Sequence, residues 1–223
     1  MPVKRLIKKE SLPEIIANDL RRRILSGELS EGEAIRQEAL TEEYGVSRMP
    51  VREALKRLAA EGLLNWENNR GGSVVKHSLS EIGEIFDLRA LLEVDLYRQS
   101  VPLLESSDFA LCERLLDEME MSYAADNVGD WGDLNHAYHG ALFAKANRPM
   151  TMEFLKRLSL HSDRYVRIHL SVIKQREPAK AEHRALLEHA KHGRIEDGTL
   201  LLESHIRRTR DELLEMVAKQ RQQ

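Results

Sequence analysis

Apolar positions change their period along the first eighty residues. Between Ser11 and Ser26, Ile15, Ile16, Leu20, Ile24 and Leu25 fall on one side of a helix, and Gly27 closes the run. From Gln37 to Glu61 the pattern predicts a short helix, a tight turn and a second helix. Ala39 and Leu40 give the first helix its apolar side, and Gly45-Val46 makes the turn, because Gly adopts a positive φ at little cost. Ser47 is placed to cap the second helix and Pro50 falls in its first turn, where a missing N–H costs nothing. Val51, Leu55 and Leu58 point inward from that helix. Beyond Gly62 the composition predicts a hairpin: a strand in LLNWE, a Gly-rich turn in NNRGG and a strand in SVVK.

From Glu81 onward only helical periodicity remains. Pro102, Gly129, Pro149, Pro178 and Gly193 divide it into segments at about 80–104, 107–127, 130–146, 149–174, 178–193 and 195–220. The expected fold is mainly α: an N-terminal winged helix-turn-helix with a small β-hairpin over 1–77, then an antiparallel six-helix bundle over 78–223. His77-Ser78-Leu79-Ser80 is the expected linker, with Ser78 or Ser80 available as a cap.

Composition narrows the class. Of 223 residues 42% are hydrophobic and 32% charged, enough for packed cores. The single cysteine, Cys112, excludes an intramolecular disulfide and fits a reducing cytosol. The basic start MPVKRLIKKE has no apolar stretch behind it, so it is not read as a secretory signal, and no apolar run approaches a membrane span. The net charge of −3 argues against a nonspecific coat on nucleic acid. Residues 1–77 carry 14 Lys and Arg against 12 Asp and Glu, a net +2. The remainder carries 20 against 25, a net −5, so placement matters more than total.

Arg48, Met49, Arg52 and Lys56 share the face of the second helix opposite its apolar side. An ordinary solvated helix would show the same charges. Followed by a hairpin with Arg70 beside Gly71 and Gly72 at its tip, however, the order is that of a winged helix, whose arginines suit guanine edges or phosphates. VSRMPVREALKRLAAEGLL followed by NRGGSVV resembles the DNA-binding domain of the GntR family of bacterial transcription regulators, with Met49 where the family pattern has threonine. IRRRILSGELSEGEAI resembles the family's first helix and turn, with Glu31-Gly32 in place of Pro-Gly. The resemblance implies phosphate or base contacts from Ser47, Arg48 and Arg52, and a wing contact from Arg70, Gly71 and Gly72.

In the second half, Asn135 and His139 lie one helical turn apart. His183, ten residues before Gly193, and His205, twelve after it, would stand at similar height on two antiparallel helices. Three imidazoles and an amide oxygen suit Zn²⁺, Ni²⁺ and similar ions, although satisfied or exposed histidines would fit the spacing too. LNHAYHGALFAKANRP, EHRALLEHAKHGR and ESHIRR resemble the three signatures of the FCD domain, the ligand-binding half of the FadR subfamily. That resemblance implies a divalent metal held by Asn135, His139, His183 and His205, with Asn135 where the commoner pattern has aspartate.

Arg89 lies on the expected buried face, where it would either pair with Glu93 one turn later or hold the carboxylate of an effector. Arg164 and Arg167 are further candidates. The expectation is thus a metabolite-responsive, cytoplasmic repressor. It would act as a homodimer on a palindromic DNA operator and respond to a small carboxylate effector. The alternatives are a metal-dependent hydrolase, with Glu182 or Asp133 as base, and a metal-free dimerisation bundle.

Overall fold

The computed structural model describes residues 11–67, 71–125, 128–172 and 177–222. The chain divides between Lys76 and His77 into two compact units.

In the first unit, helix α1 (Leu12–Ser26) buries Ile16, Ala17, Leu20 and Ile24 and ends at Gly27, whose φ of +82° carries the left-handed stop. Ile15, expected on the inward side, is 49% exposed, because the buried stripe turns away from it by one residue. A two-residue strand β1 (Ala34–Ile35) precedes α2 (Gln37–Tyr44), the turn at Gly45 and α3 (Arg48–Ala60). In α2 Leu40 is buried, whereas Ala39 is exposed. Val51, Ala54, Leu55 and Leu58 of α3 are fully buried and pack the helix on α1, and Arg21 of α1 pairs with Glu61 just past the end of α3 at 2.6 Å.

Strands β2 (Leu64–Glu67) and β3 (Gly71–Val74) complete an antiparallel sheet of order β1-β3-β2. The expected hairpin is therefore the outer part of a three-stranded sheet. Gly71 and Gly72, expected in the turn, are strand residues: Gly72 lies opposite both Ile35 and Trp66, and Gly71 opposite Glu67. A Cβ on Gly71 would stand 2.3 Å from the carbonyl oxygen of Ile35, and one on Gly72 2.9 Å from that of Asn65. The glycines let the three strands close up.

The second unit begins at His77, one residue before the expected boundary. His77 is held by residues from the middle and from the end of the bundle's sequence. Its N–H donates to the Tyr165 hydroxyl at 3.4 Å, its Nε2 lies 3.2 Å from Nδ1 of His161, and its carbonyl accepts from Arg221 at 2.7 Å. Ser78 then caps α4 (Leu79–Ser100) in a reciprocal box with Glu81, satisfying two N–H groups that the helix itself cannot. A 3-10 turn (Val101–Leu103) leads to α5 (Ser106–Ala124), α6 (Val128–Phe143), α7 (Pro149–Val172), α8 (Glu177–Lys191) and α9 (Ile195–Gln220). Beyond Glu81 no strand occurs among the described residues, in keeping with the helical periodicity.

Around Ile82, Phe86, Leu96, Leu142, Leu186 and Leu202 the core is apolar, with two buried tyrosines braced on α8. Tyr97 donates to the Leu186 carbonyl at 3.0 Å and Tyr138 to the His183 carbonyl at 2.8 Å. Both bonds remove the penalty of burying a phenol, and the second fastens α6 to α8 beside two of the singled-out histidines.

Candidate nucleic-acid interface and histidine centre

In the first unit, Gly45 at φ +63° turns the chain so that α3 begins at Arg48. Ser47 holds the N-cap position with extended backbone, φ −71° and ψ 166°, but its side chain makes no capping hydrogen bond. The expected cap is therefore absent, and the hydroxyl stays exposed beside the start of the helix. Arg48, Met49, Arg52 and Lys56 all project into solvent from α3, with Met49 61% exposed. A thioether that exposed on a helix otherwise sorted into apolar and charged faces suits an apolar contact with a partner.

Arg48 is paired with Glu38 at 3.3 Å, both side chains being largely exposed, so the pair adds little stability and opens at small cost. Arg52 makes no hydrogen bond or ion pair among the described residues. The same hollow that Arg48, Met49 and Arg52 line also contains Arg36, Trp66 and Gly71. Arg36 was not legible as a candidate: it directly follows β1, a strand of two residues with no period to read, and only the pairing of β1 with β3 brings it to this face. Arg70 lies outside the described residues.

In the bundle, His139 of α6, His183 of α8 and His205 of α9 converge. One donor nitrogen from each lies within 4.8 Å of the others. The ring centroids of His183 and His205 are 4.8 Å apart, and those of His139 and His183 5.3 Å. His183 is 1% exposed, and both its ring nitrogens are buried without a hydrogen-bond partner, as are Nδ1 of His139 and Oδ1 of Asn135. Buried polar atoms are nearly always paired, so orphaned nitrogens on imidazoles gathered this closely suit a shared partner. A divalent ion fits. It bonds imidazole nitrogen at about 2.0–2.1 Å, and small movements of three side chains reach that from the observed spacing.

Protonation agrees with this. Burial first, then the neighbouring imidazoles, push His139 and His183 well below the ordinary value of 6.5, so both are neutral and able to coordinate at neutral pH. The sign gives a test. Below 6.5 the unfolded chain binds protons that these folded imidazoles refuse, so metal-free protein should lose stability as pH falls through that value and level off above it. Thermal melts of chelator-treated protein between about pH 5 and pH 8 would show this. A pH slope no smaller in His183→Ala than in the parent would contradict the assignment to the buried imidazoles.

One of the three imidazoles is backed by a carboxylate that an arginine holds in turn, and a second has such a carboxylate nearby but beyond hydrogen-bond reach. Nδ1 of His205 lies 2.6 Å from Glu182, which Arg208 grips through Nε at 3.1 Å and Nη2 at 2.5 Å. Burial alone would raise the Glu182 pKa. The hydrogen bonds from His205 and Arg208 outweigh it and bring the value down to about 2. Anionic Glu182 therefore fixes the proton of His205 on Nδ1 and leaves Nε2 for the ion, as outer carboxylates do for ligating histidines. The buried Glu93 approaches Nδ1 of His139 at 3.7 Å and accepts from Nε of Arg89 at 2.8 Å. Neither outer partner is visible in the spacing of the histidines; Glu182 adjoins His183 in sequence yet serves His205.

Arg89 also donates from Nη1 to Ser162 at 3.0 Å. Arg89 thus forms the structural pair with Glu93 and at the same time lines a cavity of about 250 Å³ next to His139 and Asn135. Of the other arginines singled out, Arg164 is buried and Arg167 pairs with Asp133 at 2.5 Å, which commits that carboxylate too. Glu182 and Asp133, the two candidate bases for hydrolysis, are therefore both engaged by arginines.

Comparison with known proteins gives the lineage. Residues 12–74 match the profile of bacterial regulatory proteins of the gntR family, and residues 84–208 match that of the FCD domain. The chain is similar to the HTH-type transcriptional regulator BphR of Paraburkholderia xenovorans, with 32% identity over 88% of this chain and 82% of that one. It is 31% identical to the HTH-type transcriptional repressor GlaR of Escherichia coli over 66% of this chain and 68% of that one. Its fold matches that of E. coli McbR/YncC with a TM-score of 0.81 at 22% identity, across 94% of this chain and 100% of the other. The first two relatives are named as a transcriptional regulator and a transcriptional repressor, and no described helix is long and apolar enough to cross a membrane. With the second profile alone covering more than half its length, the chain belongs to the GntR family of bacterial regulatory proteins, a DNA-binding transcriptional regulator whose winged helix is joined to an FCD domain.

Proposed function

We propose that this regulator is a metabolite-controlled repressor of the FadR subfamily. Two copies bind a palindromic operator, and a small carboxylate effector binds the bundle beside a divalent ion such as Zn²⁺ or Ni²⁺. The observation that supports this most is the cluster of orphaned imidazole nitrogens, which abuts a cavity lined by Arg89. His139, His183 and His205 supply the donors, Asn135 adds a neutral amide oxygen, and Glu182 orients the ring of His205. The ion would supply a positive charge that attracts a carboxylate. Arg89 would supply a second, directional contact through Nη2, which makes no hydrogen bond among the described residues. Repression is named in several relatives, GlaR among them. Homodimerisation follows from the two-fold symmetry with which winged helices read palindromes.

On the DNA side, Ser47, Arg48, Met49, Arg52 and Lys56 would face the groove, and the β2–β3 wing would follow the adjacent backbone. Arg52 is the residue most able to read a base, being exposed and uncommitted. Arg52→Ala should weaken operator binding by about 1–3 kcal/mol per site while changing affinity for random DNA far less. Titrations on both DNAs at one salt concentration decide this. An equal loss on the two would reassign Arg52 to a phosphate.

A further inference from the structure

The cavity beside the histidine centre is lined by acids as well as by Arg89. Asp163 of α7 lines it together with Arg89, Asn135, His139 and Ser159. Asp163 is partly buried in the cavity wall, and its carboxylate accepts no hydrogen bond among the described residues. Burial raises its pKa, against the pull of His136, Arg89 and Arg167, as expected of an anion short of partners. The two arginines nearest to it are already committed. Arg89 is bonded to Glu93 and Ser162, and Arg167 is bonded to Asp133. The neighbouring acid at the cavity mouth, Glu153, has its own partner in Arg157. Asp163 is thus the one lining carboxylate that has no donor among the described residues.

Resting on the reading of this cavity as the effector site, we propose that Asp163 anchors a cationic nitrogen of the effector, so that the ligand is a small amino acid rather than a simple organic acid. Its carboxylate would face Arg89 and the histidine centre, and its ammonium would face Asp163. A volume of about 250 Å³ lies just under the usual range for ligand pockets, about 300–1,000 Å³, which fits a metabolite of this size. A hydroxyl could donate to Asp163 as well. The ammonium is favoured because a full charge both neutralises the partly buried carboxylate and makes the stronger, charge-assisted bond.

The test uses the full chain loaded with Zn²⁺ and calorimetric titration with three series of straight-chain acids matched in length. One series ends in an ammonium (glycine, β-alanine, γ-aminobutyrate and the next homologue), one in a hydroxyl and one in a methyl. At the best length, the amino acid should bind about 10-fold to 100-fold more tightly than its methyl counterpart. Asp163→Asn, an isosteric change that removes only the charge, should erase that preference while leaving the methyl series and the Zn²⁺ content unchanged. Asp163→Ser, a smaller uncharged side chain, should do the same and guards against a packing effect of the amide. Equal binding of amino and methyl acids overturns the proposal, as does a preference that survives both variants. Hydroxy acids binding as tightly as amino acids would overturn the cationic assignment. If no acid of any series binds, the carboxylate-effector reading itself fails, and this proposal fails with it.

Discussion

His183→Ala is expected to abolish stoichiometric metal binding. His183 is the most deeply buried of the three imidazoles and both its ring nitrogens lack partners, so nothing else in the fold accounts for its polarity at that point. Its removal leaves His139 and His205 on different helices, 6.1 Å apart between ring centroids, with only the neutral Asn135 to help. Losing an outer partner costs about 10-fold to 100-fold in metal affinity, and losing a ligand of this kind should cost more than that. Elemental analysis and competition with a coloured chelator, on protein purified without affinity-tag metal, would measure it. The variant should still fold, because truncation removes two unsatisfied nitrogens as well as packing. It should bind operator in the absence of effector and respond poorly when effector is added. Finding no metal in the parent protein, even after adding Zn²⁺ or Ni²⁺, would sink the site.

The second large effect is expected at Gly71. With φ at +97°, an alanine there carries backbone strain, and its Cβ would meet the Ile35 carbonyl oxygen at 2.3 Å, a backbone atom that cannot swing aside. Gly71→Ala should therefore destabilise the winged unit by roughly 2–4 kcal/mol and part β1 from β3. Gly32 is the natural comparison. Its φ is +76°, but nothing lies within 4 Å of a Cβ placed there, so Gly32→Ala should cost only the strain, about 1–2 kcal/mol. DNA binding should fall more for Gly71→Ala as well, because Arg36 directly follows the displaced strand. If the two variants melt alike, the edge strand yields freely and the close approach is not what Gly71 provides.

The residue pattern alone reached the architecture because the elements that matter are long and periodic. Val51, Leu55 and Leu58 repeat over a helix that buries all three, and Arg89 and Glu93 lie a helical turn apart, so their pairing could be anticipated. Strand β1 could not be anticipated: Ala34–Ile35 is too short to show a period, and without it Gly71 and Gly72 look like turn residues. The hydroxyl of Ser47 shows a different limit. Its residue type and position say cap, and the backbone obeys, but the side chain points elsewhere. In the bundle, similar spacing about Gly193 brought His183 and His205 to nearly one height, whereas Glu182, Tyr138 and Ser162 reach their partners across helices. Those long-range contacts leave no local signature, and neither does the lack of a partner at Asp163.

Helix α7 serves two ends of the second unit at once. Ser159 and Asp163 form part of the cavity wall and Ser162 holds Arg89, while His161 and Tyr165 grip His77, the residue at which the chain enters the bundle. These positions alternate within seven residues, under two turns of one rigid rod. Turning that rod about its axis moves both sets of side chains together. As long as α7 stays wound, cavity wall and chain entry behave as one mechanical part, and a shift of either is a shift of both.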